Sequence, residues 1–106
     1  MNSIPEIDDA HFASEVLESD KPVLVDFTAA WCPPCRVMKP VLAELAAERP
    51  DLRFVQIDVD ANQDAAARYG VMSMPTFMVF KGGQPVGTLI GSRPKRKLTA
   101  ELDEIL

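Results

Sequence analysis

Residues Val23-Leu24-Val25-Asp26-Phe27 constrain the fold of this chain more than any other stretch. The run is short, apolar and β-branched, and it does not alternate with polar positions. Such a strand is buried on both faces, as at the centre of a parallel sheet. Both faces then need covering, and a parallel neighbour needs a crossover, so helices should flank the run in sequence. A first helical pattern follows Asp8-Asp9, with Phe12, Val16 and Leu17 at helical spacing and the two aspartates suited to an N-terminal cap and to the helix dipole. It stops near Ser19-Asp20, and Pro22 follows. A longer pattern runs from about Cys32 to Arg49. There Met38, Leu42 and Leu45 step by four and three to mark a buried face, with Pro40 inside as an expected kink.

The remainder continues the alternation. Leu52 to Val59 reads as a strand, and Asp60 to Tyr69 as a short helix around Ala65, Ala66 and Ala67 that Gly70 terminates. Thr76 to Phe80 is a further strand. Gly82-Gly83 supplies a turn into a second arm, Val86 to Ile90. A last helix carries Leu98, Leu102 and Ile105 on one stripe. The order predicts an α/β chain: a central mixed β-sheet with helices on both faces, parallel pairs made through crossovers and an antiparallel hairpin at the end. At 106 residues, residues 1–106 should form a single domain.

Charge and composition exclude several function classes. The formal net charge is −5, whereas nucleic-acid binding requires clustered Lys and Arg. The densest basic stretch, Arg93, Lys95, Arg96 and Lys97, reads as the solvated start of the last helix. No segment approaches the ~18 consecutive apolar residues of a membrane span. Met1 to Asp9 lacks a basic region followed by an apolar one, so no signal peptide is read there and a cytoplasmic location is expected. No amphipathic stretch is left over once the core faces are assigned, and a monomer is expected.

The chain holds only two cysteines, at positions 32 and 35. A disulfide closing so short a loop removes little unfolded-state entropy, so stapling is a poor explanation for the pair. Metal binding or redox chemistry remains. Zinc normally takes four ligands; there is no second CxxC, and His11 is the only histidine. Metal shared between two chains is the reading left on that side. A c-type haem site would need His after the second cysteine, where Arg36 stands. The redox reading has a definite geometry. Trp31-Cys32-Pro33-Pro34-Cys35 lies where the strand hands over to the long helix. With Cys32 as the cap, Pro33 and Pro34 fill the first turn, where a missing N–H costs no helical bond. Cys35, three residues on, is close enough for a disulfide. Cys32 faces the positive end of the helix dipole, which favours its thiolate as a nucleophile, and Cys35 would resolve the mixed disulfide. Asp26 interrupts the apolar strand. Burial without a partner would raise its pKa; a nearby cation or a partly solvated strand end is the alternative.

Taken together, Val25-Asp26-Phe27, Trp31-Cys32 with Pro34-Cys35, Lys39-Pro40, Asp58 to Asp60, Tyr69-Gly70-Val71, Met74-Pro75-Thr76, Phe80-Lys81-Gly82-Gly83 and Gly91 resemble the thioredoxin family over essentially the whole chain. The resemblance implies the thioredoxin fold and a protein-disulfide reductase. It implies that Asp26 lies behind Cys35 and moves protons to and from it. It implies a cis bond before Pro75, with Met74 offering backbone bonds to an extended substrate, and Trp31, Val71, Met72, Ser73 and Gly91 around the site. Electrons would come from an NADPH-dependent thioredoxin reductase. The chain has no glycine-rich dinucleotide fingerprint, so it should bind no nucleotide, and its chemistry needs no metal or other cofactor. Core packing is the competing reading for Met72 and Met74, and a close backbone approach or bulge for Gly91.

The chain departs from the family pattern at three positions. Pro33 replaces the usual glycine; it stiffens the loop, while Pro34 pushes it away from helical geometry, and the two effects oppose each other. Thr28 replaces a frequent tryptophan. Gln56 stands where many relatives carry a lysine near the buried aspartate, and losing that cation should raise the Asp26 pKa further. Besides the reductase, two functions fit: an isomerase or dedicated electron donor with a shifted redox potential, and a scaffold that holds extended peptides without using its cysteines.

Overall fold

The computed structural model describes residues 3–106; Met1 and Asn2, the start of the stretch read above for a leader, lie outside them. Five strands form one sheet in the order β1-β3-β2-β4-β5. They are β1 (Glu6–Ile7), β2 (Val23–Thr28), β3 (Arg53–Asp58), β4 (Thr76–Lys81) and β5 (Gln84–Ile90). The helices are α1 (Pro33–Glu48), α2 (Gln63–Arg68) and α3 (Lys95–Ile105). As the unbroken apolar run requires, β2 is central and all six of its residues are buried. It pairs parallel with β3 and antiparallel with β4.

Alternation along β2 divides the core. Val23, Val25 and Phe27 pack on one face with Val55, Ile57, Phe12 and Val16. Leu24 packs on the other with Phe54, Phe77 and Val79, under Met38, Leu42 and Leu45 of α1 and Leu98 and Leu102 of α3. The stripes expected for α1 and α3 are therefore the faces they bury. Pro40 sits inside a helix that continues to Glu48.

Three features differ from the sequence reading. The edge strand β1 was not anticipated: two residues carry no periodicity, and the strand exists through parallel pairing with Gln56 and Ile57. The first helical pattern is a 3₁₀ turn at Asp9–His11 followed by a π-helical turn at Ala13–Leu17, closed by Glu18 N–H on the Ala13 carbonyl. Of the two aspartates at its start, Asp8 caps it; Asp9 reaches away and accepts the N–H groups of Asp64 and Ala65 at 3.0 Å each. These are orphan donors of the first turn of α2, whose own cap residue Asn62 makes no side-chain cap bond. Finally, the connection through α2 is not a crossover. A six-residue helix spans about 9 Å, half the roughly 20 Å length of a six-residue strand. The connection therefore begins and ends at one end of the sheet, and β4 returns antiparallel beside β2.

The hairpin from β4 to β5 turns on Gly82 and Gly83, with φ of 60° and 79°. Both central residues at positive φ make the type of turn whose twist suits adjoining strands. The basic run at 93–97 is only partly solvated: Lys95 pairs with Glu44 and Glu48 of α1, and Arg93 with Glu101 of α3. Among the described residues, no helix is long and apolar enough to cross a membrane.

Candidate active site

The cysteine pair lies where β2 delivers the chain to α1. Cys32 is the cap residue, extended at φ −97° and ψ 106°, and Pro33 and Pro34 occupy the first turn. Cys32 and Cys35 are joined by a disulfide, with Cα atoms 5.3 Å apart. The Cys35 N–H donates to Cys32 Sγ at 3.2 Å. That N–H is an orphan donor at a helix start, and it points at Cys32 and not at Cys35. This sets the two sulfurs apart more than accessibility does: in the oxidised pair both residues are buried, at 2% and 1% exposure. Ala29, Val59 and Met74 pack against the pair.

Met74 closes this cluster from the other side. The Met74–Pro75 peptide is cis, and the Met74 carbonyl oxygen lies 3.6 Å from Cys32 Sγ. The Pro75 carbonyl accepts the Gly91 N–H at 2.9 Å, which brings the loop after β5 to the same place. Gly91 has φ +95°, and a Cβ there would meet nothing within 4 Å. Conformation, not a close backbone approach, is what requires glycine. Met72 is 92% exposed, which removes core packing as its explanation, and Ser73 is exposed beside it. Val71 departs from the group: its side chain packs against the core on the other side of the sheet.

Trp31 is exposed, but its ring is anchored, with Nε1–H donating to Asp60 Oδ2 at 2.7 Å. Asp60 is fixed in turn through its N–H to Asp58 Oδ1 at 2.9 Å. In the sequence, Asp58 to Asp60 carry only the family resemblance; an acidic residue just beyond a strand end gives no hint of an indole partner.

Asp26 is 1% exposed, in no ion pair among the described residues, and its Oδ1 has no hydrogen-bond partner among the protein groups. Burial pushes its pKa up to about 7, against the opposing pull of the Lys39 ammonium. The carboxylate makes no ion pair and is not at a solvated strand end, although the Lys39 ammonium is near enough to oppose the shift. The raised pKa has the direction expected with no lysine at position 56. A cation nonetheless approaches from α1: Lys39 Nζ donates to Gln56 Oε1 at 3.0 Å. Gln56 is the register partner of Asp26 on β3, and its amide donates to the Ile4 carbonyl at 2.9 Å. A cavity of about 320 Å³, lined by Ser3, Ile4, Asp26, Lys39, Pro40 and Gln56, opens on the carboxyl. Among the described residues, no group of three or more His, Cys, Asp or Glu side chains is placed to hold a metal ion.

A family model for thioredoxin matches residues 3–104. A thioredoxin of Mycobacterium tuberculosis is 48% identical over 101 residues, covering 94% of this chain and 87% of that protein. A thioredoxin of Synechocystis is 42% identical over 107 aligned positions, covering the whole of both. A bifunctional thioredoxin reductase/thioredoxin of Mycobacterium leprae is 45% identical over 102 residues, covering 95% of this chain and 22% of that larger protein. These likenesses run through the cysteine pair at disulfide distance and the mixed sheet that carries it: the chain belongs to the thioredoxin family and is a thiol–disulfide oxidoreductase.

Proposed function

We propose that residues 1–106 act as one thioredoxin domain that reduces disulfides in protein substrates, with Cys32 as nucleophile, Cys35 as resolving thiol and Asp26 as proton carrier. The observation that carries the reading is the bond from the Cys35 N–H to Cys32 Sγ at the helix cap, which stabilises charge on Cys32 alone.

The Cys32 thiolate attacks one sulfur of a substrate disulfide. The other substrate sulfur leaves as a thiolate and is protonated, and a mixed disulfide joins Cys32 to the substrate. Asp26 takes the Cys35 proton, the Cys35 thiolate attacks Cys32 Sγ, and the second substrate sulfur leaves as a thiolate that is then protonated from Asp26 or solvent. Two electrons have then moved from the pair to the substrate. With its pKa near 7, Asp26 can both accept and release a proton near neutral pH, and the cavity beside it gives that proton a way out. Substrate lies as an extended segment along Met74 and Pro75, flanked by Gly91, Trp31, Met72 and Ser73. Exposed methionine adapts to varied side chains, which suits many targets.

An NADPH-dependent thioredoxin reductase returns the electrons. The relative named as both reductase and thioredoxin supports this pairing. The protein works as a monomer in the cytoplasm and needs no metal or bound cofactor. Single-serine variants test the assignment. A Cys35→Ser protein should accumulate a mixed disulfide with a protein substrate, and Cys32→Ser should trap none. Trapping by Cys32→Ser alone would reverse the two roles.

A further inference from the structure

Arg93, in the loop between β5 and α3, does not behave as part of a solvated basic run. Its side chain is only 10% exposed and its polar atoms all turn inward. Nη1 donates to both carboxylate oxygens of Glu101 at 2.8 Å. Nε donates to the Gly91 carbonyl at 3.2 Å, and Nη2 to the Ile90 carbonyl. The Arg93 N–H lies 3.5 Å from Met38 Sδ, one turn beyond Cys35 on α1. Since the Gly91 N–H holds the Pro75 carbonyl, an unbroken series of bonds runs from Glu101 through Arg93 and Gly91 to Pro75.

The loop needs such a brace. Gly91 at positive φ has unusual conformational freedom, and its neighbours Ile90 and Ser92 are exposed. A planar guanidinium can hold two successive carbonyls and a carboxylate at once, whereas the ammonium of lysine has no fixed fork. Glu101, 22% exposed and rooted in α3, fixes the direction of that fork.

We propose that Arg93, clamped by Glu101, is a positioning residue for substrate: it holds the Ile90–Gly91 backbone beside Pro75 and so fixes one wall of the groove that receives an extended protein segment. The inference rests on the reading of Met74, Pro75 and Gly91 as that groove. Its consequence is selective. A small disulfide reaches Cys32 without lying in the groove; a protein disulfide does not.

The test compares pre-reduced wild type with Arg93→Met, which keeps the apolar stem and removes the fork. Rates are measured on insulin and on the small aromatic disulfide dithiobis(nitrobenzoate). The insulin rate should fall roughly three- to tenfold while the small-disulfide rate changes by less than about twofold. Glu101→Gln, which keeps one acceptor, should show the same selectivity with a smaller loss. Equal losses on both substrates would overturn the proposal, because Arg93 would then be supporting the thiol pair or the fold in general. Amide NMR separates the other failures. If neither the insulin rate nor the Gly91 signal changes, Arg93 positions nothing. If the Gly91 signal moves and the insulin rate does not, the brace is real but the groove reading is wrong.

Discussion

Asp26 and Phe27 are adjacent in β2 and both almost wholly buried, at 1% and 0% exposure, yet they point into different chemistry. Phe27 enters a face dominated by apolar side chains. Asp26 enters the face under α1, where a carboxyl without a partner borders a cavity and a lysine. One face is built for stability. The other gives some of it up at a single position, and that position lies on the strand that delivers the chain to the cysteine helix. A closed apolar position and a costly buried carboxyl thus stand one peptide bond apart because strand side chains alternate.

Removing each side chain should expose the contrast. Phe27→Ala should cost about 3–5 kcal/mol, read from urea unfolding, since it leaves a cavity in a closed core. Asp26→Leu should act the other way, and with pH dependence. The folded pKa is near 7 and the ordinary aspartate value is 3.8, so between these values the folded state binds a proton that the unfolded state has released. Stability from this group therefore falls as pH rises from about 4 to 7 and is flat above, a total of about 4 kcal/mol. The stabilisation by Asp26→Leu should be largest at pH 8 and shrink towards pH 4. Equal stabilisation at both ends would mean that charge burial is not the cause.

Smaller effects sharpen the comparison. On the closed face, Asp9→Ala removes the remote cap of α2 and should cost about 1 kcal/mol, with the rate of insulin reduction unchanged. On the open face, Lys39→Met should move the Asp26 titration upward by several tenths of a pH unit by NMR, because an exposed ammonium is screened and burial remains the main cause. High salt should produce much of the same shift in the wild type.

Much of this contrast was legible in the sequence. The unbroken run of β2 announced burial on both faces, and an acidic residue inside it announced a costly carboxyl. Cys32 before two prolines announced a helix cap, because proline is favoured in the first turn. What escaped reading depends on distant partners. The strand β1 has no pattern apart from β3. Asp9 caps a helix more than fifty residues away. Lys39 meets Gln56 only once α1 lies over β3, so position 56 alone does not reveal the cation near Asp26. Arg93 looked like surface charge because its partners, Glu101 and two backbone carbonyls, become visible only when α3 folds back. The burial of Cys32 in the oxidised pair likewise follows from Met74, distant in sequence and close in space.

The equilibrium redox potential of the Cys32–Cys35 pair, measured against a dithiothreitol or glutathione series, tests the central claim most directly. A disulfide reductase should give a value near about −270 mV, as thioredoxins do, whereas a value of about −180 mV or above would contradict that account and place the protein with isomerases and oxidants.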